Sequence, residues 1–123
     1  SDAAPNGGRT RAGGGYLAER GGKGDQNFIT PEFEKGKLRY YRVPLGSVRG
    51  GGLYQEREKL HDQLRSEPLP KPGARRWVLV YYTEEGDDLR DLGLQDCPQE
   101  RFGMIQLACM EVKAEPATSS GDE

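Results

Sequence analysis

The longest run of apolar and aromatic residues in this sequence is the six-residue stretch Trp77–Tyr82. A run rich in β-branched and aromatic side chains is typical of a strand that is covered on both faces, and we predict a strand over 75–83. A second stretch of the same kind predicts a strand over 101–112. A weaker alternation of apolar and polar residues, closed by Pro44, predicts a further strand over 37–43.

One amphipathic helix is predicted over 53–65, where Leu53, Leu60 and Leu64 recur at helical spacing. The proline-rich segment after it cannot continue a helix, so it connects the helix to the strand at 75–83. A helix between two strands of one sheet places those strands parallel, and the last strand then pairs antiparallel with the second. We therefore predict an α+β domain of β-α-β-β order, with a three-stranded mixed sheet, one covering helix and a preceding extended Gly/Arg-rich arm. The second face of this sheet needs a cover, either from the arm or from a partner protein.

The segment 28–36 carries the signals of a single helical turn. Its threonine is suited to cap the turn, its proline to begin it and its last glycine to end it. We expect Phe28 and Phe33 to pin this turn on an apolar surface. The glycine-rich segment 45–52 is expected to be a loop, and it serves as a hinge before the helix.

Composition divides the chain into an arm and a body. Hydrophobic residues make up 33% of the 123 residues, below the roughly 45–50% of globular chains, and 13 of the 18 glycines fall in 1–52. Residues 1–52 carry 9 basic and 5 acidic side chains, whereas the remainder carries 9 basic and 15 acidic ones. We predict an extended basic arm over 1–27, a small α+β domain over 28–113 and an acidic flexible tail over 114–123.

Catalytic and cofactor motifs are missing from the sequence. The glycines around Arg49 lack the lysine and hydroxyl of a phosphate loop and the spacing of a dinucleotide fingerprint. His61 is the single histidine, and we expect it to be a packed or surface side chain of the helix. The acidic turn at 83–91 lacks the order of a calcium loop and is expected to be solvated. These features predict a protein that is not an enzyme and that holds no metal and no cofactor.

The two cysteines do not form a disulfide framework by their number alone. Cys109 lies inside an apolar run, where a cysteine behaves as a small buried hydrophobe, so we expect a buried thiol rather than a bridge to Cys97. The sequence has no apolar stretch of the roughly 18 residues that a transmembrane helix needs. An intracellular setting is favoured, either the cytoplasm or the interior of an organelle. The sequence does not begin with methionine, and both a trimmed methionine before Ser1 and a removed transit or signal peptide are open.

These observations favour a non-enzymatic accessory or adaptor subunit of a larger protein complex. The core is small, one sheet face is expected to be open, and the arm is suited to lie along another protein, at an ordering cost that binding must offset. The partner-binding residues that we predict are Arg9, Arg11, Tyr16, Leu17, Arg20, Phe28 and Phe33.

An RNA-binding module is the alternative function. The tripeptide RGG occurs at 20–22 and at 49–51, with tyrosines near basic side chains, and arginine and aromatic rings bind phosphates and stack on bases. The acidic body, with a pI near 5.5, opposes this function because it repels the phosphate backbone. The residues predicted for it are Arg20, Arg49, Tyr40 and Tyr41.

Overall fold

The computed structural model of the chain describes residues 15–16, 19–34, 36, 47–50 and 57–114. This part of the chain contains an α-helix, α1, over Arg57–Ser66 and two short 3₁₀ turns over Glu32–Glu34 and Arg90–Leu92. It also contains five strands: β1 (Gln26–Thr30), β2 (Ser47–Gly50), β3 (Arg75–Val80), β4 (Glu100–Phe102) and β5 (Ile105–Glu111).

The five strands form one mixed sheet in the order β2-β1-β3-β5-β4. β1 pairs in parallel with both β2 and β3. β5 pairs antiparallel with β3 and with β4. The predicted α+β class and mixed sheet are therefore confirmed, and so is the antiparallel pairing of the last strand with the strand at 75–80. The predicted number of three strands is wrong.

Strand β1 is an interior strand of the sheet, between β2 and β3, and was not predicted. Its sequence QNFIT has only two apolar residues, but Phe28 packs on one side of the sheet and Ile29 on the other, and both are buried. The predicted boundary between arm and domain at residue 27 falls inside this strand. The single turn predicted after it is present as the 3₁₀ turn Glu32–Glu34. Phe28 is buried as expected, whereas Phe33 is 74% exposed and does not anchor the turn in the core.

The helix and its crossover agree in kind with the prediction. Leu60 and Leu64 bury the apolar face of α1, and β2 and β3, which precede and follow the helix, are both parallel to β1. The strand before the helix is β2, although 45–52 was expected to be a loop. An edge strand with one apolar residue in four gives no alternation from which it could be recognised. The predicted strand at 37–43 lies outside the described residues, as do residues 53–56 of the predicted helix.

The single strand predicted over 101–112 is two strands joined by a tight turn. Gly103 adopts a positive φ of 67°, a conformation that glycine reaches without steric cost. The turn reverses the chain, so that Phe102 of β4 lies opposite Ile105 of β5.

Both faces of the sheet are buried within the chain itself. The helix face packs Phe28, Val78 and Val80 against leucines of α1 and of the segment 89–94. On the opposite face, the core residues are 0–2% exposed; they are Ile29, Trp77, Leu79, Tyr81, Ile105, Leu107 and Cys109. The expectation of an open sheet face is therefore wrong.

Part of the cover on this second face comes from the segment that was expected to bind a partner. Tyr16 packs against the buried cluster, and its ring lies edge-on to that of Phe102 at a centroid distance of 5.7 Å. The aromatic anchor of the arm thus folds back on the sheet.

Cys97 and Cys109 form a disulfide, with their Cα atoms 5.4 Å apart. This separation lies in the usual range for a bridge, and the expectation of a buried thiol is wrong. Cys109 is buried as predicted, but the loop after the second 3₁₀ turn brings Cys97 over the same sheet face. No helix in the described part of the chain is long and apolar enough to cross a membrane.

Candidate functional site

The end of the sheet at which parallel strands β1 and β3 finish is a topological switch point. The chain leaves β1 toward β2 on one side, and the crossover through α1 returns it to β3 on the other side. In open sheets with parallel strands, ligands bind outside the carboxyl ends of the strands at such a point. The residues placed there are Thr30 to Glu34 after β1 and Tyr81 to Thr83 after β3.

Tyr82 has an unusual backbone at this end. Its φ is +65°, which is uncommon for a bulky residue. The neighbouring backbone holds this conformation, because Tyr81 N donates to Thr30 O at 2.9 Å and Thr83 N donates to Met104 O at 2.7 Å. The reversal ends the buried alternation of β3 and places the Tyr82 ring at the surface. Such conformations cost free energy and cluster at functional sites.

Glu34 fixes the orientation of the Tyr82 side chain. Its carboxylate is buried and accepts a hydrogen bond of 2.5 Å from the Tyr82 hydroxyl. This hydrogen bond is the largest cause that raises the pKa of Tyr82, followed by partial burial and by repulsion from the Glu34 charge. The phenol is therefore held in its neutral, donating form with its ring in a defined orientation.

The exposed rings of Phe33 and Tyr82 meet at this end, and the exposed Met104 lies on the adjoining turn between β4 and β5. We call these three residues the aromatic patch. The ring centroids of Phe33 and Tyr82 are 6.4 Å apart, and Met104 lies next to Thr83, whose hydroxyl also donates to Met104 O at 3.0 Å. Four large hydrophobic residues are exposed in the described part of the chain, and these are three of them. The fourth, Leu69, lies elsewhere.

The buried Thr30 hydroxyl, at the last residue of β1, makes no hydrogen bond to any described residue. Buried hydroxyls are normally satisfied by protein or by ordered water. The end of the sheet therefore presents an apolar surface with an unused polar group beneath it.

A basic cleft of about 460 Å³ lies between the turn at 22–24 and the turn at 71–74. Its cationic lining residues are Arg20, Lys23, Lys71 and Arg75. The single carboxylate in the lining, Asp25, accepts from Gly22 N, from Arg75 N and from Trp77 Nε1 at 2.7–2.9 Å. It ties both walls of the cleft to the core. The lining carries four cations against this one carboxylate, although Arg20 also pairs with Glu19 and Arg75 with Glu111.

Those predicted partner-binding residues that the structure describes do not lie on one surface. Tyr16 and Phe28 belong to the packed interior, so Phe28 in particular has no ring surface to offer to a partner. Phe33 is exposed in the aromatic patch. Arg20 lines the basic cleft with its guanidinium 3.8 Å from the Tyr16 ring centroid. Arg9, Arg11, Leu17, Tyr40 and Tyr41 lie outside the described residues, as does the side chain of Arg49.

The acidic turn is fastened to its surroundings by arginines. Arg57 of α1 pairs with Asp91, and Arg90 pairs with Asp88 at 2.8 Å. Hydrogen bonds from Arg90 lower the pKa of Asp88 well below its ordinary value. Within the described ranges, no group of three or more His, Cys, Asp or Glu side chains is arranged to hold a metal ion.

Four surface residues of these sites were not predicted from the sequence: Tyr82, Met104, Lys23 and Lys71. Tyr82 ends an apolar run that reads as buried, and Met104 lies in the turn that divides the predicted last strand. The two lysines are 48 residues apart in the sequence and meet only because β1 and β3 are neighbours.

Comparison with known proteins finds no matching family model, no matching curated protein and no matching solved structure.

Proposed function

We propose that this protein is a non-enzymatic protein-binding module, an accessory or adaptor subunit that docks on a partner protein through the aromatic patch. The observation that carries the proposal is the gathering of Phe33, Tyr82 and Met104 at one end of the sheet. The docking surface thus differs from the sheet face expected from the sequence, since that face is closed.

The composition of the patch suits protein recognition more than small-molecule chemistry. Aromatic residues and methionine are enriched at the centres of protein interfaces, where few residues carry most of the binding free energy. Tyr82 is held by Glu34 before any partner arrives, and an already ordered side chain loses less entropy on binding. Charged side chains at the border, such as Glu84 and Arg101, supply the polar rim that interfaces have.

Replacement of Phe33 by serine tests the proposal. Phe33 is largely exposed and contributes little to the core, so we expect the fold to persist while the affinity for the partner falls at least about tenfold, as for an interface anchor of about 1.4 kcal/mol or more. Leu69→Ser is the matched control, because Leu69 is 64% exposed and lies outside the patch. The partner is captured by crosslinking and mass spectrometry, and the affinity is then measured by calorimetry with the purified partner. Equal affinities of the two variants would contradict the proposal.

Nucleic-acid binding is a second candidate, and the basic cleft favours it. Four cations surround the cleft in a chain whose net charge is −2, and the Arg20 guanidinium also stacks on the ring of Tyr16 beside the cleft. Arg20 was predicted for this role, and Lys23, Lys71 and Arg75 extend the set.

For this candidate we expect the affinity for single-stranded RNA, measured by fluorescence anisotropy, to fall with salt. Four neutralised phosphates give a slope of about −3 in log affinity against log salt. Lys23→Glu with Lys71→Glu should weaken binding at least tenfold, whereas Lys59→Glu with Lys113→Glu, which changes the net charge equally, should not. Equal losses from both pairs would assign the effect to net charge and exclude the cleft.

A further inference from the structure

An apolar groove of about 470 Å³ opens at the opposite end of the sheet from the aromatic patch. It lies between the last turn of α1, the proline-rich connector, the second 3₁₀ turn and the end of β5. Its size is in the range of small-molecule sites. The apolar lining residues are Leu64, Leu69, Leu92, Leu94 and Met110.

A buried cation stands in the wall of this groove. Arg76 is 4% exposed and lines the groove beside the leucines. Burial is the main cause that lowers its pKa, and only the charge of Glu67 acts in the opposite direction. Arg76 forms no ion pair with the described carboxylates. A charge removed from water without a counterion is costly.

The hydrogen bonds of Arg76 leave one donor unused. Its Nε donates to Gln26 Oε1, its Nη1 to Leu64 O, and its Nη2 to the carbonyls of Glu67 and Pro68, at 2.8–3.2 Å. Every acceptor is uncharged. A guanidinium has five N–H groups, so the second N–H of Nη1 has no acceptor among the described residues. One face of the guanidinium lies over the Phe28 ring at 5.2 Å.

We propose that the groove binds a small amphipathic carboxylate, with its alkyl chain along the leucines and its carboxylate at the free Nη1–H of Arg76. The apolar lining accounts for the chain, and the cation without an ionic partner accounts for the acid. A charge-assisted hydrogen bond in a water-poor groove is stronger than one at the surface. His61 and Arg65 at the rim add no negative charge that would oppose the ligand, and Glu67 is the single acidic lining residue.

The test compares two probes with the same chain and different head groups, octanoate and 1-octanol, by isothermal titration calorimetry of the full chain at pH 7. We expect octanoate to bind at least tenfold more tightly than octanol and to shift the NMR signal of the Met110 methyl group. Equal affinity for the two probes would overturn the carboxylate as ligand, and failure of octanoate to bind would overturn the site.

Variants locate the binding. Leu69→Trp narrows the groove from an exposed position and should reduce octanoate affinity at least tenfold. Phe33→Trp, an exposed substitution in the aromatic patch, is the matched control and should leave it unchanged. Arg76→Met should abolish the preference for octanoate over octanol, provided that circular dichroism shows a folded chain. If the folded Leu69→Trp variant still binds octanoate tightly, the assignment of the ligand to this groove is overturned. If the folded Arg76→Met variant still binds octanoate tightly, the role of the guanidinium is overturned.

Discussion

Asp25→Ala is expected to lower the free energy of unfolding by about 3–5 kcal/mol, because the substitution leaves one buried and two partly buried donors without their acceptor. Asp25 is 4% exposed. Its Oδ2 accepts from Gly22 N and Trp77 Nε1, and its Oδ1 accepts from Arg75 N. These donors belong to the segment before β1 and to β3, so one carboxylate joins two parts of the chain that are 50 residues apart.

Equilibrium unfolding in urea measures this loss. Asp62→Ala is the control, because Asp62 is an exposed helix residue whose pair with Arg65 is worth at most a few tenths of a kcal/mol. The loss of unfolding free energy for Asp25→Asn should lie between the losses for Asp25→Ala and Asp62→Ala. The amide of asparagine keeps one acceptor oxygen, but its NH₂ group faces N–H groups that are donors themselves. A loss below about 1 kcal/mol for Asp25→Ala would show that the donors find water instead.

Removal of the disulfide by Cys97→Ala with Cys109→Ala is expected to cost about 3 kcal/mol, which is the loop-closure value for a bridge that spans a loop of this length. The two cysteines are 12 positions apart, and the bridge holds the loop before β4 against the sheet face that Tyr16 and Phe102 also cover. The melting temperature should fall by roughly 12–24 °C, since 1 kcal/mol corresponds to about 4–8 °C in a domain of this size.

The bridge has its own internal control. Dithiothreitol should lower the urea midpoint of the natural chain and leave that of the double variant unchanged. Two free thiols in the untreated chain, detected by alkylation and mass spectrometry, would contradict the prediction. Because disulfides persist in oxidising compartments and are rare in the cytosol, the bridge weighs against the cytoplasm, which is one of the two intracellular settings that the sequence favoured.

The elements that were predicted from the sequence are those with a clear apolar pattern. The strand that ends before Tyr82 has a continuous apolar run, and the leucines of α1 recur at helical spacing. β1 has no such pattern, because Asn27 and Thr30 are polar residues buried in the middle of a sheet, where the backbone of β1 pairs with β2 on one side and with β3 on the other. β2 is too short and too rich in glycine to carry a period. The bridge between Cys97 and Cys109 depends on a loop path that no spacing specifies.

The candidate sites were less predictable than the fold, because each depends on one backbone conformation or one tertiary contact that the sequence pattern does not reveal. Tyr82 is exposed only because its backbone turns to a positive φ after β3. Arg76 looks like a polar flank of an apolar run, yet carbonyl groups from the end of α1 surround it. Phe33 was expected to pin its turn on an apolar surface, but its side chain is 74% exposed, and its role in partner binding stays a prediction.

The position of β1 in the sheet has a consequence for the chain as it leaves the ribosome. Of the described strands β1 emerges first, whereas β3, with which it pairs at Gln26 and Arg76, is translated 50 residues later. At about 5–20 residues per second the delay is roughly 3–10 s. During that interval Phe28 and Ile29 lack the neighbouring strand β3, so the nascent polypeptide displays a segment of the later core to chaperones and to other unfinished chains.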